Sequence, residues 1–123
     1  MSNETSNAII VLTDVSMITT VVQRGLGDEI VKAASEAGAR GATIYYGRGT
    51  GVRDRLGILG MAVEVEKELV NILVSNDQID EILERIYKAG KLDTPGMGIA
   101  YVLPVEKAAT HVPQDLLDKL GGQ

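Results

Sequence analysis

The chain has 123 residues, 24% of them charged and 45% hydrophobic, which is the size and mix of one ordinary globular domain. It has no cysteine, which excludes disulfides, thiolate catalysis and cysteine metal cages. Its single histidine means that a multi-histidine metal site would need several copies. A net charge of −5 argues against a protein that coats nucleic acid through a general field, so no nucleic-acid partner is expected.

Phe and Trp are absent and Tyr numbers four, so the core must be built from Ile, Val, Leu, Ala and Met. The apolar run Ala8 to Leu12 is too short to span a bilayer. No basic stretch precedes it, as a secretory signal would require. With no cysteine and no export signal, the expected compartment is the cytoplasm.

Residues 1–7 are polar and read as a loose terminus. Ala8–Thr13 and Met17–Gln23 read as strands, with Asp14-Val15-Ser16 a hairpin turn between them. From Asp28 to Ala37 the apolar residues Ile30, Val31, Ala33, Ala34 and Ala37 have helical spacing, and Gly38 stands where a helix would end. Ala42–Tyr46 returns to strand-forming residues.

Gly47 to Gly60 reads GRGTGVRDRLGILG, with five glycines and three arginines, and predicts a long loop. Glu68–Ser75 is a strand. Ser75-Asn76-Asp77-Gln78 offers capping side chains, including an S-x-x-Q arrangement, for a helix that runs to about Ala89. Ile79, Ile82, Leu83, Ile86 and Gly90 mark its inner face. A loop, Leu92–Gly98, leads into a strand, Ile99–Val105, and Pro113 opens a short final helix, 113–120.

The pattern repeats. Strand 17–23, helix 28–37 and strand 42–46 form one βαβ unit; strand 68–75, helix 77–89 and strand 99–105 form a second. Two such units predict an α+β, ferredoxin-like split βαβ sandwich, with two helices on one face of an antiparallel sheet.

Both faces of that sheet are apolar. Val70, Ile72 and Val74 point one way, Leu69 and Leu73 the other; Ile99, Tyr101, Leu103 and Val105 oppose Ala100 and Val102. Two helices cover one face only, and a bare apolar face of several hundred Å² marks an interface. Either copies of the chain cover it or the chain's own ends fold back over it; the first is the expectation.

Four arginines, Arg40, Arg48, Arg53 and Arg55, face one acid, Asp54, in the stretch 40–55. Glycine-rich backbone and guanidinium forks suit a phosphate or another anion, and they equally suit a solvated loop. Neither a Walker A loop nor a dinucleotide fingerprint is present. Gly96-Met97-Gly98 either passes backbone amides to a ligand or makes a tight turn. Glu64, Glu66 and Glu68 alternate along one side of an extended segment, a solvated edge or a cation site shared with a partner loop. His111 stands near no serine elbow of the kind a catalytic triad needs, and no catalytic residue or resident cofactor is expected.

The runs GARGATIYYGRGTG (38–51), EKELVNILV (66–74) and PGMGIAYVLPV (95–105) resemble the PII signal-transduction superfamily, in its PII-like branches rather than its nitrogen regulators proper. The resemblance covers residues 17–105 and implies a single domain over 1–123. It also implies a homotrimer, with adenine-nucleotide sites in the clefts between subunits and no enzymatic role. Segment 47–62 would be the mobile loop that reports ligand state to a partner protein, such as a membrane transporter.

By the same resemblance Thr43 and Val74 line the adenine pocket, and Gly47, Arg48, Gly49, Gly51 and Arg53 lie at the ligand phosphates. Gly96, Met97 and Gly98 take the place of the turn that cradles phosphates from the adjoining subunit. Gly98 and Ile99 stand where nitrogen-regulating members carry a lysine, and Lys107 to His111 lacks their arginine pair. ADP, AMP or a cyclic nucleotide is therefore expected rather than ATP. The strand at 8–13 is extra, extending the sheet edge or crossing to another subunit. The alternative is a metal- or small-anion-binding trimer like the related cation-tolerance proteins.

Overall fold

Ile18, Ile72 and Val102 stand directly opposite one another on three adjacent strands, and the rest of the core grows from that row. The computed structural model describes residues 10–49 and 65–110. In chain order these form β1 (Val11–Leu12), β2 (Val15–Gln23), α1 (Gly27–Glu36), β3 (Thr43–Gly49), β4 (Val65–Ser75), a 3₁₀ turn (Asn76–Gln78), α2 (Ile79–Ala89), β5 (Gly98–Val105) and β6 (Ala108–Ala109).

The main sheet has the order β3-β4-β2-β5 with every neighbouring pair antiparallel. This is the α+β, ferredoxin-like βαββαβ arrangement. Ile18, Val22, Val70, Ile72 and Val74 meet Ile30 and Ala34 of α1 and Ile82 and Ile86 of α2, all of them buried. Burying an Ile or Val side chain contributes roughly 1.5–3 kcal/mol, so this aliphatic layer drives the fold.

One buried acid belongs to this layer. Glu68, 8% exposed, accepts a hydrogen bond of 2.6 Å from the Gly27 backbone N–H at the start of α1. A Cβ at position 27 would lie 2.5 Å from that carboxylate oxygen, so only glycine admits the contact. The carboxylate also sits at the positive end of the helix dipole.

The other face carries Met17, Thr19 and Val21 of β2, Leu69, Asn71 and Leu73 of β4, Tyr45 of β3, and Ile99, Tyr101 and Leu103 of β5. No helix covers it. Ile99 is 57% exposed, Leu103 50%, Tyr45 43% and Tyr101 42%.

At one end a second cluster forms, where Leu12 and Val15 pack with Ile10, Leu73, Val105 and Ala108. There β1 pairs antiparallel with β6, Val11 opposite Ala109 and Leu12 opposite Ala108. Among the described residues, β1 and β6 thus cover one end of the open face and leave the rest exposed.

Several expectations change. The expected hairpin 8–13/17–23 does not form: Asp14 adopts φ 61°, turning the chain so that β1 joins β6 instead of β2. Val15 and Ser16 belong to β2, and the Ser16 hydroxyl donates to Asn76 Oδ1 at 2.6 Å. The extra strand is two residues long and pairs within its own chain, so it does not extend the main sheet; residues 8 and 9 lie outside the described residues.

The predicted loop at 47–62 begins later, because Gly47 and Gly49 continue β3 along an edge where glycine is tolerated. Residues 50–62 lie outside the described residues, as does the final helix at 113–120. The S-x-x-Q cap does not form. The Ser75 hydroxyl donates to Asp77 Oδ1 at 2.5 Å, and the 3₁₀ turn precedes α2. Gly90 also differs from Gly38: the left-handed residue after α2 is Lys91, φ 53°, while Gly90 is close-packed on Ile30 and Leu92.

Candidate functional site

The expected binding residues fall into three groups, fixed by where each strand begins and ends. Thr43 opens β3 opposite Asn71, leaving β4 to run on to Ser75 with β2 as its neighbour. The connection from α1, residues 38–42, arches past this overhang and encloses a cleft of about 1050 Å³. Thr43 and Val74, the expected adenine contacts, both line it. So do Arg40, Gly41, Ser75 and Gln78, which the sequence reading did not place together. Leu12 and Thr110 supply a wall from the β1–β6 end.

The second group lies at the far end of β3, six residues on, or about 20 Å along an extended strand. Gly47 and Arg48 line a shallow cleft of about 440 Å³ with Arg24, Tyr46 and Glu66. Arg48 is directly across the ladder from Glu66, whose carboxylate accepts a hydrogen bond from Arg24 Nη1. Both partners of that pair are largely exposed, so it orients the groups and contributes little stability. Gly49 follows, opposite Val65; a Cβ there would meet Lys67 Cγ at 3.9 Å, ordinary contact. Gly51 and Arg53 lie outside the described residues.

The third group, Gly96, Met97 and Gly98, enters β5 at the same end of the sheet. Gln23 Nε2 donates to the Gly96 carbonyl at 3.0 Å. Gly98 stands opposite Val22, and a Cβ there would run into the Val21 carbonyl oxygen. Close approach of β5 to β2 therefore already demands glycine at 98.

β3 and β5 are the two edges of the sheet, three strand spacings apart, so these groups are separated by about 14 Å across one chain. One copy does not bring Gly47 and Gly98 together.

Two members of the glutamate row have partners within the chain. Glu66 is engaged by Arg24 and Glu68 by the Gly27 N–H; Glu64 and His111 lie outside the described residues. Among the described residues no group of three or more His, Asp or Glu is placed to hold a metal ion. Among the same residues no helix is long and apolar enough to cross a membrane.

The strand order, the two helices on one face and the clefts at the ends of β3 define a ferredoxin-like α+β protein. The chain matches the family model for nitrogen regulatory protein P-II over residues 15–114. It belongs to the P-II family, whose members are regulatory trimers that bind small effector molecules. Among solved structures it is similar to Arabidopsis thaliana PII bound to citrate, with a TM-score of 0.58 and 23% sequence identity over 76% of this chain and 79% of that one. At that identity the likeness concerns the fold.

Proposed function

We propose that this P-II protein is a trimeric sensor that binds an adenine nucleotide, ADP, AMP or a cyclic nucleotide, in clefts between subunits. The observation that carries the reading is the division of the expected binding residues between the two edges of a sheet whose open face, uncovered among the described residues, is largely apolar. Thr43, Val74, Gly47, Arg48 and Gly49 lie along β3 and β4 at one edge; Gly96, Met97 and Gly98 lie at the other. In a ring of copies each β3 edge meets a neighbour's β5 edge, and a ligand at the seam touches both. Gly51 and Arg53 complete the phosphate contacts from the segment after β3.

Binding biases the conformation of the segment between Gly49 and Val65, and through it the affinity for a partner protein, of which a membrane transporter is one candidate class. The role is regulatory, within one domain, in the cytoplasm.

Calorimetry with ADP, AMP, ATP and cyclic AMP tests the nucleotide assignment. Binding of at least one is expected, weakened in Arg53→Ala by roughly 1–3 kcal/mol through loss of a charged hydrogen bond. Absence of heat with all four would remove the assignment.

A further inference from the structure

The open face is crossed by one polar row. Thr43, Asn71, Thr19 and Tyr101 stand directly opposite one another on β3, β4, β2 and β5. The row on one side is Tyr45, Leu69, Val21 and Ile99, and on the other Leu73, Met17 and Leu103. Two hydrogen bonds hold Asn71: Thr19 Oγ1 donates to its Oδ1 at 2.7 Å within the row, and its Nδ2 donates at 3.0 Å to the hydroxyl of Tyr45 in the neighbouring row. Both ends of the Asn71 amide are thereby committed.

The two ends of the row are not. Among the described residues, neither the Thr43 hydroxyl on one edge strand nor the Tyr101 hydroxyl on the other has a hydrogen-bond partner. An apolar face with a polar row across its middle does not accept an arbitrary apolar surface, because buried hydroxyls left unpaired carry a desolvation penalty.

We infer that a second copy of this chain continues the row, with the hydroxyl of Tyr101 on one copy hydrogen-bonded to Thr43 on the next. The inference rests on the reading of the chain as a closed ring. In a ring of three every interface is head-to-tail, so one edge of the sheet meets the opposite edge of its neighbour, and the unmatched ends of the row are what those edges carry. The apolar bands on both sides supply attraction, and the hydroxyl pair selects the register. Thr43 and Asn71 also line the large cleft. The neighbouring copy's Tyr101 ring therefore stands at the cleft mouth, and the binding site is incomplete in a single chain.

The test is a double-mutant cycle on the dissociation of the full-length oligomer, followed by sedimentation over a dilution series. Within one chain residues 43 and 101 lie about 14 Å apart, beyond the range at which substitutions normally couple. Thr43→Val and Tyr101→Phe are each expected to weaken assembly by about tenfold, and the pair together by about the same factor. Thr43→Ser, which keeps the hydroxyl, should assemble like the wild type. Losses that multiply to about a hundredfold in the double variant, or a weakened Thr43→Ser, would overturn the pairing while leaving the oligomer intact. A wild-type chain that never assembles would remove both the pairing and the reading beneath it.

Discussion

Replacing Glu68 tests how strongly one buried carboxylate ties the sheet to the first helix. The acid sits on β4, 41 residues from the helix it caps, and its oxygen accepts the Gly27 N–H at 2.6 Å. Glu68→Gln keeps the volume and an acceptor but removes the charge. It gives up the helix-dipole interaction, up to about 1–2 kcal/mol in a partly buried geometry, and the charge-assisted share of the bond. Glu68→Leu removes the acceptor as well and leaves the N–H unpaired, which costs about 1–3 kcal/mol more.

The expected losses are therefore about 1 kcal/mol for Gln and about 3 kcal/mol for Leu. Urea denaturation at one fixed protein concentration reads them, since assembly makes apparent stability concentration-dependent. With a slope of about 1–3 kcal/mol per molar, the Gln midpoint should fall by roughly 0.3–1 M. A Gln variant that melts with the wild type would show that the charge at position 68 does nothing for α1.

Other substitutions separate structural from binding roles. The Thr20 hydroxyl is fully buried and has no hydrogen-bond partner among the described residues, so Thr20→Val should stabilise the protein by about 1 kcal/mol; a loss of that size in the same urea assay would contradict it. Gly98→Ala should destabilise the fold by more than about 1 kcal/mol, because the new methyl group meets the Val21 carbonyl. Gly49→Ala should leave stability within about 0.5 kcal/mol, since among the described residues its new Cβ meets only Lys67 Cγ at 3.9 Å, while weakening nucleotide binding in calorimetry. Equal stability losses in the two glycine variants would erase the distinction.

The two helices and the central strands were legible because their apolar residues keep a period over many positions: Ile82 and Ile86 one turn apart, and Val70, Ile72 and Val74 alternating. What lacked a period was not. Strands β1 and β6 have two residues each, too few to show alternation, and they find one another across almost the whole chain. Asp14-Val15-Ser16 resembled a turn by residue type, yet only Asp14 turns; Val15 is buried and Ser16 is held by Asn76.

In the candidate site, Thr43 and Val74 sharing one cleft followed from the family resemblance. Gln78 joining them did not, because the overhang of β4 beyond β3 is a matter of register that one strand's sequence does not display. The alternating glutamates were visible, but Glu66 and Glu68 have distant partners, Arg24 and Gly27, that no local pattern announces.

Sedimentation equilibrium of the full chain, without added ligand, bears most directly on whether copies of the molecule cover the bare side of the sheet. A single species of three times the 13.1 kDa chain mass is the predicted result. A 13.1 kDa species at every concentration would contradict it, and would leave the residues on the two sheet edges with no seam to share.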